Sequence, residues 1–160
     1  MTEPAAGSAT NLVLDTVVRA PVTASFAALT EWASQGLWLT GTRVQVIEGD
    51  GRSVGSRLEA VTGRAPARLV DRMTITRWSP PHAVEVLHTG PALHGTGTLE
   101  VLELPRGMSR VVWSETFDLP LGALGRAGWT LARPGFAVGL RRSLRTLARL
   151  VETGVLPTGA

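Results

Sequence analysis

The sequence predicts an α+β domain in which one antiparallel sheet is covered by a closing helix. Two observations carry that reading. From residue 42 onward, six strand-like segments follow one another: TRVQVIEG, SVGSRLEAVTG, ARLVDRMTITRW, HAVEVLHTG, LHGTGTLEVLEL and SRVVWSETFDL, separated by EGDG, GRAP, SPP, GPA and PRGM. Gly, Pro and Asp build tight turns, and separators this short leave no room for crossover helices, so neighbouring strands run antiparallel. Beyond them, Phe136, Leu140, Leu144, Leu147 and Val151 are spaced four, four, three and four apart, which makes one apolar stripe along a helix.

The elements follow in order. Residues 1–11 are small, polar and contain Pro and Gly, as in a loose tail. NLVLDTVVR, residues 11–19, reads as a first strand. Pro21 suits a first helical turn, where its fixed φ and missing N–H cost little. Val22, Phe26 and Leu29 then share one side of a short helix, and ASQGLWL forms a second short helical segment. The closing helical region spans about 121–153, with Arg141, Arg142, Arg145 and Arg149 on the flank opposite the apolar stripe. Gly154 is placed as its C-cap. Pro134, with Gly135 after it, predicts a bend or break between GRAGWTLAR and the regular second half. The expected organisation is a flexible tail over 1–11, a single domain over 12–153 and a C-terminal tail over 154–160.

Composition narrows the function classes. The chain has 160 residues, 44% of them apolar and 18% charged, which is enough for a sizeable core and argues against disorder. Its sixteen basic residues are all arginine and stand against thirteen acids, a small excess without a recognition motif, so no nucleic-acid partner is expected. With no cysteine, disulfides, thiolate metal sites and cysteine nucleophiles are excluded. No secretory start and no apolar run of spanning length is visible, so the expectation is a cytoplasmic protein without integral membrane association. A homodimer is left open.

TVVRAPVTASFAALTEWASQGLW, DRMTITRWSPPHAVEVLHTGPALHGTGTLEV, SRVVWSETFDLP and SLRTLARLVE, taken in that order, resemble the helix-grip fold of the START/Bet v 1-like superfamily. The likeness is to the SRPBCC or polyketide cyclase/dehydrase-like proteins in particular. It implies a curved seven-stranded antiparallel sheet around a long C-terminal helix, two short helices after the first strand, and an elongated apolar cavity between sheet and helix. Members of the superfamily bind lipids, sterols, quinones, polyketides or other hydrophobic molecules, and some are cyclases, aromatases or dehydratases. No catalytic motif of the family carries over residue by residue. The Gly and Pro enrichment in the first half of the closing helix departs from the pattern.

Candidate site residues come from strand periodicity. Val84, Val86 and His88 share one face of their strand, opposite Glu85, Leu87 and Thr89. His88 is a candidate for ligand contact or acid–base chemistry, against a structural or surface role. Val111, Trp113, Glu115 and Phe117 alternate onto one face. A carboxylate among those aromatics needs an arginine or hydroxyl partner, or is protonated and can donate to a ligand carbonyl. The alternative is a wet strand end where Glu115 pairs with an arginine. In the RMTITRW stretch, Met73, Ile75 and Arg77 alternate against Arg72, Thr74, Thr76 and Trp78, and apolar residues occur on both sides. Met73, Arg77 and Trp78 therefore join Trp113, Glu115, Phe117, His88, Phe136 and Leu140 as ligand-binding candidates. Glu115 and His88 are the catalytic ones. The facing of Asp71, Arg72 and His94 is unsettled.

His82, His88 and His94 lack a zinc-ligand spacing, GTGTL lacks the context of a nucleotide loop, and no GxSxG occurs, so no metal, cofactor or serine triad is expected. The expected function is noncatalytic binding, as carrier or sensor, of a hydrophobic or amphipathic small molecule in an interior cavity. Two alternatives stand beside it: a cyclase, aromatase or dehydratase-like enzyme, and an interaction protein using the arginine edge of the closing helix.

Overall fold

The computed structural model describes residues 9–91, 93–118 and 122–156. Strand β1 (Ala9–Val18) leads into helix α1 (Val22–Thr30) and a 3-10 helix, Trp32–Leu37. Strands β2 (Thr42–Glu48), β3 (Arg57–Arg64), β4 (Ala67–Ser79), β5 (Ala83–Thr89), β6 (His94–Leu104) and β7 (Met108–Asp118) follow, and helix α2 (Gly122–Glu152) closes the chain. The seven strands form one sheet in the order β1-β7-β6-β5-β4-β3-β2. Every pairing is antiparallel. Only β1 is displaced from sequence order, because α1 and the 3-10 helix carry the chain from one sheet edge, beside β7, to the other. This is the helix-grip arrangement that the resemblance implied.

The predicted strands are all present, with the first beginning at Ala9, so that residues 9–11 of the expected tail belong to β1. Residues 1–8 and 157–160 of the two expected tails lie outside the described residues. Within the C-terminal segment Leu156 is buried, and the chain turns back through backbone hydrogen bonds from Val155 and Leu156 to Leu150 O.

Period-two alternation sends Leu12 and Leu14 of β1, Leu58 and Ala60 of β3, Ile75 of β4 and Val111 and Phe117 of β7 to the inner face, where all are buried. Against part of that face lies the second half of α2, with Ala137, Leu140, Leu144, Leu147, Ala148 and Val151 buried at helical spacing. Fully burying a leucine such as Leu144 or Leu147 contributes about 1.5–3 kcal/mol. Phe136, the first member of the predicted stripe, is 43% exposed and packs sideways on Phe117 at 6.0 Å between ring centroids. Arg141, Arg142, Arg145 and Arg149 are exposed on the outer flank.

Of the expected bend or break at Pro134, the break is not found: α2 is one helix through it. Proline's φ is already helical, and its cost is one lost backbone hydrogen bond and the crowding of its ring against the carbonyl four residues earlier. Residues 130–136 are exposed, so the helix meets this cost on a stretch that faces solvent.

The apolar core falls into two clusters. One joins α1, α2, β1, β6 and β7 around Leu14, Leu29, Val111, Leu144 and Leu147. The other gathers Trp32, Val44, Leu58, Ala60, Ile75 and Val84 at the β2–β5 end. A cavity of about 350 Å³ lies on the inner face, lined by residues of both clusters.

Candidate functional site

The cavity walls are mostly aliphatic and aromatic, with Val44, Leu58, Met73, Val84, Val86, Leu99 and Phe117 from the sheet and Phe136 and Leu140 from α2. Into this surface the sheet sets one polar group of side chains. Asp71 on β4, His88 on β5 and Glu115 on β7 all point inward, and all three are buried. His88 Nδ1 lies 2.8 Å from Asp71 Oδ2, and its Nε2 lies 3.1 Å from Glu115 Oε2. Trp113 Nε1–H donates to Glu115 Oε1 at 2.6 Å.

The reach from β7 to β5 depends on the strand between them. Gly97 of β6 pairs with Val86 on one side and Glu115 on the other. A Cβ at Gly97 would stand 3.0 Å from both Glu115 carboxylate oxygens, so the carboxylate lies in the notch this glycine leaves. Gly95, with φ of +132°, lets β6 approach β7 so closely that a Cβ there would collide with the Thr116 carbonyl. The glycines of GTGTL thus serve close approach within the sheet. Gly97→Ala is expected to cost about 1–3 kcal/mol through overpacking, because Glu115 can give way only by loosening its bonds to His88 and Trp113. Thermal unfolding read together with Trp113 fluorescence checks this; an unchanged midpoint and spectrum contradict it.

The electrostatics follow from the same contacts. Burial disfavours the imidazolium of His88, but hydrogen bonds to Asp71 and Glu115, with the charges of both, outweigh it and push the pKa up from 6.5 to about 9. At neutral pH His88 is therefore a cation donating from both ring nitrogens. Glu115 is buried, with His88 Nε2 and Trp113 Nε1–H as its hydrogen-bonding partners, so it is not the arginine-paired group of a wet strand end. The group as a whole carries one net negative charge.

Of the sequence candidates, Trp113, Glu115, Phe117, His88, Met73, Phe136 and Leu140 line the cavity. Arg77 and Trp78 do not, and the cause is a register shift between Ile75 and Arg77. It reverses the alternation, leaving Arg77 exposed while Trp78 turns to the core and meets Phe26 edge-on at 5.4 Å. Arg72 pairs outside with Glu59, and His94 is exposed. Asp71, unsettled from sequence, joins the polar group; its period-two relation to Met73 and Ile75 was the available signal. Gln35, Ser143 and the hydrogen-bonded pair Thr42–Thr62 also line the cavity and carried no sequence signal as a set.

Comparison with known proteins places the chain in a family. The model described as "Polyketide cyclase / dehydrase and lipid transport" matches residues 10–152, nearly the whole chain. The chain belongs to that family. No curated protein matches it in sequence. Among solved structures, TTHA0849 from Thermus thermophilus is similar at a TM-score of 0.76 and 14% identity, covering 91% of this chain and 99% of that one. The Zhui aromatase/cyclase from Streptomyces sp. R1128 is similar at 0.74 and 13% identity, covering 95% and 99%. The di-domain aromatase/cyclase BexL, from the BE-7585A biosynthetic pathway, gives 0.69 and 15% identity, with 92% of this chain matching 48% of that chain. At these identities the likeness to the solved structures is one of fold. Among the described residues of this polyketide cyclase/dehydrase family member, no helix is long and apolar enough to cross a membrane.

Proposed function

We propose that the chain is an acid–base enzyme of the cyclase, aromatase or dehydratase type, acting on a hydrophobic, carbonyl-bearing molecule held in the cavity, with Glu115 as the base. The observation that carries this reading is a carboxylate on an apolar cavity wall, clamped by Trp113 N–H and an imidazolium that Asp71 holds from behind. A simple carrier has no need of such a buried charged group, since its desolvation is costly. Fold-level likeness to structures named aromatase/cyclase supports the same direction.

In an aldol cyclisation, the Glu115 carboxylate takes a proton from the carbon between two carbonyls. The carbanion electrons form the new carbon–carbon bond to a second carbonyl carbon. The resulting alkoxide recovers the proton from the Glu115 carboxyl. For dehydration, Glu115 takes the next α-proton, the carbon–carbon double bond forms, and hydroxide leaves with that proton as water. Glu115 ends as it began. His88 and Asp71 position the carboxylate and do not exchange protons with the substrate.

Positioned general bases contribute about 10²–10⁴-fold in rate. Glu115→Gln keeps the shape and is expected to lower turnover of poly-β-ketone thioesters by at least about 100-fold, with ring formation and loss of water read by mass spectrometry. Equal turnover by wild type and variant, or none by wild type, removes this reading. The carrier reading has its own support in the predominantly apolar walls; native mass spectrometry showing a retained ligand that is never altered would favour it.

A further inference from the structure

The cavity differs from an ordinary apolar pocket in how its hydrogen-bonding groups are used. Four of the side chains on its wall carry nitrogen, and each is already engaged within the protein. Trp32 Nε1 donates to Gly51 O, Gln35 Nε2 spends one of its two N–H groups on Leu29 O and Trp113 Nε1 donates to Glu115, while both His88 nitrogens face carboxylates. The acceptors are in surplus. Asp71 Oδ1 is buried and receives no hydrogen bond among the described residues. The side chains of Asp71 and Glu115 keep 12% and 8% of their surface accessible, against 4% for the imidazole between them, so the acids are the more accessible members of the group. The remaining hydroxyls, on Thr40, Thr42, Thr62 and Ser143, accept as readily as they donate.

Charge points the same way. No arginine lines the cavity among the described residues, and the sequence outside them contains no arginine or lysine. Two acids flank a single imidazole, so with the acids ionised and the imidazole protonated the group carries one net negative charge. An incoming carboxylate or phosphate would face that charge across an apolar, water-poor space, where repulsion is strong.

From this surplus of acceptors and the net negative charge we infer that the cavity selects ligands whose polar end donates hydrogen bonds, a hydroxyl, enol or ammonium group, and rejects those ending in a carboxylate or phosphate. This selectivity rests on the proposed function only in sharing its cavity. The two agree, since enolised polyketones are neutral donors and proton removal by Glu115 moves the negative charge without adding one.

The test uses the wild-type protein and four probes on one naphthalene scaffold: 2-naphthol, 2-naphthylmethylammonium, 2-methoxynaphthalene and 2-naphthoate. Affinity is read at pH 7 by tryptophan fluorescence and calorimetry. The naphthol and the ammonium probe are expected to bind at least tenfold more tightly than naphthoate, with the methoxy compound weaker than the naphthol. The two donors distinguish a neutral from a cationic head group. Naphthoate binding as well as either donor, the methoxy compound matching the naphthol, or no binding by either donor overturns the inference. Asp71→Asn, which removes one negative charge and adds a donor, is expected to narrow the naphthol-to-naphthoate ratio at least threefold; an unchanged ratio counts against the inference. Failure here with turnover still dependent on Glu115 would leave the base in place, whereas donor selectivity without such turnover would leave the cavity's preference and remove the enzyme.

Discussion

Replacing His88 by leucine is expected to lower folding stability by about 3–5 kcal/mol at neutral pH, the usual cost of removing one partner from a buried ionic group. The imidazolium is the common partner of Asp71 and Glu115, which approach it at 2.8 and 3.1 Å from opposite sides. Without it, two carboxylates face the same apolar cavity and only Glu115 keeps a donor, from Trp113. Urea unfolding followed by far-ultraviolet circular dichroism measures the loss. The triple variant Asp71→Asn, His88→Leu, Glu115→Gln removes the charges together and is expected to recover more than half of it, because the penalty lies in the unpaired charge and not in lost volume. A single variant as stable as wild type, or a triple variant worse than the single one, contradicts the argument.

Stability is expected to fall as pH rises from 6.5 to about 9. Folding raises the proton affinity of His88, so below pH 6.5 the imidazole is protonated in both states and its contribution is complete. Above that value the unfolded chain releases the proton while the folded chain keeps it, and the contribution shrinks until the folded imidazole also titrates near 9. A shift of this size corresponds to about 3 kcal/mol, or roughly 10 °C in unfolding temperature for a domain of this length. Scanning calorimetry across the window checks it, with His88→Leu as the control that loses this pH dependence. A wild-type profile that is flat between 6.5 and 9 contradicts the assignment of the charge to His88.

The imidazole expected to make the fold sensitive to pH is the one that holds Glu115 over Gly97, so the group that organises the carboxylate also bears on folding. Burial of such a group costs free energy that a purely apolar wall would not, which is the physical reason for reading it as chemistry rather than support.

Much of the architecture was legible in the chain because it rests on local regularities. The alternation Val111, Trp113, Glu115, Phe117 marked the inner face of β7, and Leu140, Leu144, Leu147 and Val151 marked the buried side of α2. Gly- and Pro-rich separators placed the turns. Local rules failed where a single residue's effect depends on its surroundings. The bulge after Ile75 put Trp78 inside and Arg77 outside, the reverse of what continuous alternation assigns to them beside Met73 and Ile75. Pro134 did not end α2, since the flank on which it sits faces solvent.

By itself, then, the sequence determined the order of elements, the antiparallel pairing implied by short connections, and which strand faces are apolar, because periodicity and turn chemistry are properties of neighbouring residues. Tertiary structure alone decided that Asp71, His88 and Glu115 form one hydrogen-bonded group, for they lie 17 and 27 residues apart along the chain. Their meeting depends on strand register and on the missing side chain of Gly97 in the strand between. Turn geometry and apolar alternation set the register of each hairpin, but bringing β4, β5 and β7 into one line requires those registers to add across the sheet, which packing of the whole inner face decides.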